Sequence, residues 1–355
     1  MKPGERVEVN RQGRSLGPRG AWPKVAIIVL NWNGWRDTIE CLESLQRITY
    51  PNYQTIVVEN GSTDDSLEKI RSWARGEVPP SSQLMDLDMS AKPLKLVEFA
   101  RVSPNVDGST KVGVAETCAG NPGIVLIRCE ENAGYGGGNN VGIEYALSQG
   151  TDFVLVLNND VVVEQGFLGS LVEAACDAKV GVVGPAIYSY AAPGQLVCTG
   201  MKMNFWLGRG IQIASRNVDY LMGSCLLIAA ETVTDIGGFY APYFLNFEDA
   251  EFCLKAGHAG WKVVYEPKSK VWHKSHGALG KVSHAQYYSY RNKLLFMKRN
   301  GPRPLKYAFL AYYSVYLVVR YIQGVFAGDG ATPIWRALCD FWQGKLGKRT
   351  VEPHV

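Results

Sequence analysis

The sequence predicts an α/β fold built around a doubly wound sheet. Short apolar runs at residues 25–30, 55–58, 124–127 and 153–157 have the length and continuity of strands covered on both faces. Between the first two lie Ile39, Leu42, Leu45 and Ile48 at helical spacing, and Leu67, Ile70 and Trp73 repeat that spacing after the second. Strand, helix, strand, helix is how a doubly wound sheet opens. The runs also end in polar clusters: Asn31-Trp32-Asn33-Gly34, Glu59-Asn60-Gly61-Ser62 and Asn158-Asn159-Asp160. Open α/β sheets hold their ligands at the carboxyl ends of such strands.

The 355 residues, 46% apolar and 20% charged, suit a globular protein of one large domain or two. The net charge of +4 divides unevenly: residues 281–355 carry +9, residues 1–24 carry +4, and residues 25–280 carry −9. An acidic body with a basic end points to an anionic membrane surface as a partner. The eight Cys include no C-x-x-C pair, which argues against structural zinc and a disulfide framework. No apolar leader follows Met1, so a reducing, cytoplasmic setting is expected.

Taken in order, residues 1–23 are rich in Gly, Pro and Arg and read as a flexible tail. After the first strand, Asp37 and Glu40 have capping-box spacing. Residues 77–122, opening on Pro79-Pro80-Ser81-Ser82, are too long for an ordinary connection and are expected to be an insertion, partly disordered. The sheet resumes at residue 124, and residues 131–140 feed a helix that runs to Gly150. Gly134-x-Gly136 imitates a dinucleotide fingerprint, but its third position is Asn139 and it follows the wrong strand, so nicotinamide binding is set aside. These glycines are expected to let backbone approach a diphosphate or sugar. Residues 153–157 then run into Asn158 and Asp160, whose oxygens suit a hard divalent cation. A further strand is expected at 180–183, residues 221–228 read as a small-residue turn running into an apolar segment, and the last strand is expected at 261–265, before Pro267. Nothing repeats at a fixed period.

Residues 287–299 are aromatic and basic together. Residues 307–327 are nearly long enough to span a bilayer, but Arg320 and many Tyr favour an interfacial helix, with a helix packed on the main body as the alternative. No RNA-binding signature accompanies them, so no nucleic-acid partner is expected.

Several segments, in this order, resemble the inverting family 2 glycosyltransferases of the GT-A fold, in particular their bacterial rhamnosyltransferase-like branch. They are residues 29–34, 58–64, 131–140, 157–160, 237–239, 247–253 and 272–277, spanning about residues 24–280. The resemblance implies a Rossmann-like mixed sheet flanked by helices, then a membrane-associating helical segment over 281–355. It implies transfer of one sugar, rhamnose first, from a nucleotide-diphosphate donor to a glycan or lipid-linked acceptor in surface polysaccharide synthesis. dTDP-rhamnose leads as donor, with UDP-linked galactose, N-acetylglucosamine or glucose as the alternative; a sugar nucleotidyltransferase and an inactive membrane scaffold rank lower.

The chemistry explains the residue types. A leaving diphosphate gathers negative charge, which Mn2+ or Mg2+ can hold. Asn158-Asn159-Asp160 stands where the family has D-x-D, so Asp160 is the expected main metal ligand and His273 the second. Asn158 and Asn159 are expected nearer the ribose and diphosphate. Inversion needs one base and no covalent partner; the acidic pair assigns that role to Asp249, with Glu248 orienting it or holding the acceptor. Asn31 and Asn33 are expected near the nucleotide and Glu59 on the pyrimidine edge, with Asn60, Gly136 and Asn140 completing the donor set. A peripheral place on the inner membrane face is expected, and a homodimer is left open.

Overall fold

The computed structural model describes residues 22–85, 92–102, 123–274, 282–327 and 332–349. The expected tail, apart from Trp22 and Pro23, lies outside them, as do much of the expected insertion and Ser275-His276-Gly277.

The first half alternates as expected: β1 (Val25–Asn31), α1 (Trp35–Leu45), β2 (Tyr53–Glu59) and α2 (Ser66–Arg75). It continues with β3 (Leu96–Val102), β4 (Ile124–Cys129), α3 (Gly134–Ser148), β5 (Phe153–Asn158), β6 (Val161–Val163) and α4 (Phe167–Ala174). Then come β7 (Val180–Ser189), β8 (Leu196–Cys198), β9 (Gly200–Asn204), β10 (Arg209–Ile213), β11 (Cys225–Ala229), α5 (Ala230–Ile236), α6 (Glu248–His258) and β12 (Lys262–His273). The main sheet runs β3-β4-β2-β1-β5-β11-β7-β12-β6, with β8 on β7, while β9 and β10 form a separate hairpin. From β3 to β5 the neighbours are parallel; β11 is antiparallel to β5 and β7, and β12 is parallel to β7. Two apolar layers follow from the pleat: Ile27, Val29, Leu155 and Leu157 face one side, Ile28, Val154 and Val156 the other.

Four expectations change. Residues 77–122 are not wholly an insertion, because β3 is the sheet's edge strand; Phe99 is buried there while Glu98 pairs with Arg71 and Arg128 outside. The capping box is absent: α1 starts from Gly34 with no side-chain cap, and Asp37 and Glu40 instead bind Lys274 at 2.6 and 2.5 Å. The glycine run is helix rather than loop. A Cβ at Gly138 would stand 2.5 Å from Leu30, and one at Gly142 2.6 Å from Ile28, so these glycines let α3 lie close on β1. Finally, β12 does not stop before Pro267, because a register shift between Glu266 and Lys270 absorbs the proline and pairing continues to His273.

The C-terminal segment forms α7 (Val282–Asn300), α8 (Leu305–Phe326) and α9 (Thr332–Trp342). Phe296, Phe309, Leu317 and Phe341 share a buried cluster with Tyr243, Ala250 and Leu254 of the main body. The alternative reading of residues 307–327, a helix packed on the main body, therefore holds for one of its faces. α8 buries Phe309, Leu310, Tyr313 and Leu317 and exposes Tyr312, Val315, Tyr316, Val319 and Ile322. At 22 residues, 22% buried over its most apolar stretch, it is the described helix long and apolar enough to cross a membrane.

Candidate active site

β1, β2, β5, β7 and β12 all end on one edge of the sheet, and antiparallel β11 begins there. Past the end of β5, Asp160 Oδ1 lies 3.1 Å from His273 Nε2, both side chains largely buried. Strand pairing places them: His273 is opposite Val161, and the Lys274 N–H donates to the Asp160 carbonyl at 3.0 Å. Adjacent ligands of an octahedral cation with bonds near 2.1 Å stand about 3.0 Å apart, so the carboxylate and imidazole fit a divalent ion. No group of three His, Cys, Asp or Glu converges among the described residues.

The acidic pair is tied to the same edge. The Asn158 N–H donates to the Ser224 carbonyl at 2.9 Å, and the N–H of the preceding Gly223 donates to Asp249 Oδ2 at 2.8 Å. Asp249 Oδ1 accepts the Ala250 N–H at 2.7 Å. Burial raises the Asp249 carboxyl above its ordinary value, and the Gly223 and Ala250 N–H groups oppose that. Glu248 is buried, its Oε2 has no hydrogen-bond partner among the described residues, and burial followed by the Asp249 charge pushes its carboxyl up. Burial thus holds both acids toward the neutral form, with the Asp249 charge adding to it at Glu248 and the Gly223 and Ala250 N–H groups opposing it at Asp249. Tyr135, which the sequence reading passed over, packs beside them and donates from its hydroxyl to the Gly223 carbonyl at 2.5 Å.

Several expected donor contacts are engaged within the protein. Asn60 binds the 132–134 turn, accepting the Ala133 N–H at 3.1 Å and donating to Asn132 Oδ1 at 3.1 Å and the Gly134 carbonyl at 3.2 Å. Asn140 clamps Phe239 through both its N–H and its carbonyl. Gly136 is buried against Phe239 and Glu248. Asn159 donates to Thr38 Oγ1 and the Gly34 carbonyl, so it holds the start of α1. Asn31 is bonded to Thr38 and Ser62, and Asn33 Oδ1 accepts the N–H groups of Thr63 and Asp64. Glu59 holds the Ser62 N–H with Oε1, and Oε2 carries no hydrogen bond among the described residues. Nor does the Asn158 side chain, at the end of β5 two residues before Asp160.

The loop leading to the acids is held in an unfavourable backbone. Phe244, Asn246 and Phe247 have φ of 67°, 70° and 78°, where non-glycine residues are strained. Helix α7 holds them. Asn292 Nδ2 donates to the carbonyls of Tyr243, Leu245 and Asn246 at 2.8, 2.6 and 3.1 Å, and Arg291 donates to those of Tyr243 and Pro242. Both side chains are buried. The sequence shows them only as part of an aromatic, basic run; a buried Arg-Asn pair has no periodic signature.

Residues 90–286 match the family described as glycosyltransferase like family 2, and residues 26–81 match glycosyl transferase family 2. The chain belongs to glycosyltransferase family 2. Among family relatives, it is 31% identical over 181 residues to the N-acetylglucosaminyl-diphospho-decaprenol L-rhamnosyltransferase of Mycobacterium tuberculosis, covering 43% of this chain and 59% of that protein. It is 28% identical over 161 residues to a low-salt glycan biosynthesis hexosyltransferase of Haloferax volcanii, covering 42% and 52%. The chain thus spans little more than half the length of these curated relatives. Among solved structures, the mannosyltransferase of Pyrobaculum calidifontis in complex with GDP-Man and Mn2+ superposes with a TM-score of 0.54 at 14% identity, covering 91% of this chain and 88% of that one. That likeness speaks for the GT-A fold.

Proposed function

We propose that this family 2 chain is a metal-dependent, inverting glycosyltransferase that moves one sugar from a nucleotide-diphosphate donor to a lipid-linked or glycan acceptor. One observation carries the reading: a carboxylate–imidazole pair at 3.1 Å joined, through Ser224 and Gly223, to a buried pair of adjacent carboxyls. Asp160 and His273 would hold Mn2+ or Mg2+. When bound, that ion neutralises charge on the leaving diphosphate. Glu59 and Asn158 offer their open polar atoms to the nucleotide. Asp249, oriented by the Gly223 and Ala250 N–H groups, takes the acceptor hydroxyl proton from the face opposite the leaving group. No covalent sugar intermediate is needed. Glu248, kept neutral, lies beside it without adding a second negative charge.

Rhamnose is the favoured sugar, supported by the relative that is named a rhamnosyltransferase; the same name supports a lipid-linked acceptor. The basic C-terminal segment and the exposed face of α8 support a peripheral place on the cytoplasmic face of a membrane. The test is a thermal-shift panel of sugar nucleotides with Mn2+. dTDP-rhamnose should stabilise the chain most; a larger shift with a UDP-sugar would move the donor assignment, and no shift with any sugar nucleotide would overturn the reading.

A further inference from the structure

One pair of cations stands without a carboxylate. Lys293 projects from α7 one turn beyond Ser289, whose Oγ accepts from Asn246 at 3.2 Å, so it lies about 6 Å along the helix from the loop that carries the acids. Its ammonium sits 5.3 Å from the centroid of Tyr313 on α8 and is half-buried. The two other deeply placed lysines differ: Lys92 pairs with Glu43 at 2.9 Å, and Lys274 with Asp37 and Glu40. Lys293 has no acidic partner among the described residues. Its charged neighbour is Arg209, at the start of β10, which also lacks one among the described residues: a Cβ on the adjacent Gly208 would stand 3.4 Å from Met297 Cγ, one turn along α7 from Lys293. Burial and then Arg209 push the Lys293 ammonium down. Like charges gathered where α7 meets the turn between β9 and β10 favour an anion between them.

What surrounds the pair gives that anion an apolar companion. The turn between β9 and β10 exposes Trp206, 71% accessible, with Leu207 beside it. Tyr312 of α8 donates to the Trp206 carbonyl at 3.0 Å, so hairpin and helix share one surface. From there Val315, Tyr316, Val319 and Ile322 continue an exposed strip along α8. A charged head fixed at the seam and a hydrocarbon chain along the strip is the shape of a lipid phosphate.

We propose that Lys293 and Arg209 bind the phosphate or diphosphate head of the lipid-linked acceptor, with its hydrocarbon chain over Trp206 and the outer face of α8. This rests on the lipid-linked acceptor proposed above. A head held there leaves the acceptor sugar within reach of the 243–249 loop.

The probe is farnesyl diphosphate, titrated into the full chain in detergent micelles with EDTA, so that no metal is present to draw a diphosphate to Asp160 and His273. Tryptophan fluorescence reads the binding. Farnesyl diphosphate should bind at least about tenfold more tightly than farnesol or inorganic pyrophosphate, and Lys293→Met and Arg209→Gln should each weaken it about tenfold, as loss of a charge-assisted contact does. Lys293→Arg should keep most of the affinity. Nucleotide binding with Mn2+ and the melting temperature should stay as in the parent, showing an intact fold. The double variant binding farnesyl diphosphate like the parent would overturn the assignment while leaving the lipid-linked reading in place. Displacement of the probe by phosphatidylglycerol vesicles as readily as by excess farnesyl diphosphate would also overturn it, since the pair would then meet any anionic headgroup. If the parent ignores the probe yet transfers sugar to a water-soluble acceptor, the lipid-linked reading fails and the proposal with it.

Discussion

At the scale of residues, the proposed function divides the work between Asp160 and Asp249, and the two should fail differently. Asp160 faces His273 at 3.1 Å and is not part of the apolar core, so Asp160→Ala should leave the fold intact and abolish manganese-dependent nucleotide binding. Calorimetry showing unchanged nucleoside-diphosphate affinity would rule out that role. Asp249→Asn keeps shape and removes basicity. Turnover should fall at least about a hundredfold with donor affinity nearly unchanged, measured as a split between kcat and donor Kd. Glu248 supplies a third expectation. Its carboxyl is held high, by burial first and the Asp249 charge second, so the unfolded chain releases this proton at a lower pH than the folded one. Between the ordinary carboxylate value and the raised folded value the native state binds more protons, and stability falls as pH rises through that window. Glu248→Gln removes the titration, so its melting temperature relative to the parent should climb by about 2 °C or more from about pH 5 to about pH 8. A constant difference across that range would show that Glu248 ionises normally.

At the scale of elements, α7 supports the loop that leads to Glu248 and Asp249 rather than forming a detachable anchor. Its Arg291 and Asn292 hold the strained 243–247 backbone, and at its far end Arg299 grips Glu251 of α6 with both Nε and Nη2, at 2.7 to 3.0 Å. Each positive-φ residue stores about 1–3 kcal/mol that these bonds must offset. Asn292→Ala removes one amide serving three carbonyls. It should destabilise by about 2–3 kcal/mol, read by urea unfolding, and lower turnover more than donor affinity, because the loop carries Asp249 and not Asp160. Equal loss of donor binding would mean that the loop also shapes the nucleotide site. For the same reason a chain ending near residue 280 should not fold as a soluble catalytic body: it would strip Phe296, Phe309 and Leu317 from the cluster around Tyr243 and Leu254.

At the scale of the whole molecule, charge and apolar surface are sorted to the same end. The acidic body carries the sheet edge with the acids, and the segment beyond it carries +9 together with the exposed strip of α8. Val315→Glu with Ile322→Glu should leave the fold unchanged, because both side chains are exposed, and should reduce sedimentation with anionic vesicles several-fold. Raising salt should weaken what binding remains, since its electrostatic part is screened over about 10 Å at 0.1 M. Vesicle binding that survives both changes would place the membrane contact elsewhere.

The sequence by itself determined the parallel core, because strands buried on both faces must be continuous apolar runs, and Val25 to Leu30 and Phe153 to Leu157 can be nothing else in a chain of this pattern. It also offered Asp160, a polar residue where an apolar run stops, and the family resemblance added His273, Glu248 and Asp249 as candidates. It could not tell a polar residue that faces a ligand from one that ties the chain together. Asn60, Asn140 and Asn159 have the same side chain as Asn158, and only long-range approach decides that the first three are bonded to loops and helices while the fourth is left open. The same holds for Asp37 and Glu40, whose local spacing suggested a cap but whose partner, Lys274, is more than two hundred residues away. The pinning of the catalytic loop by Asn292, and the meeting of Lys293 with Arg209, likewise belong to the tertiary structure. Hydrogen bonds and charge pairs between distant segments leave no period in a sequence, whereas burial does.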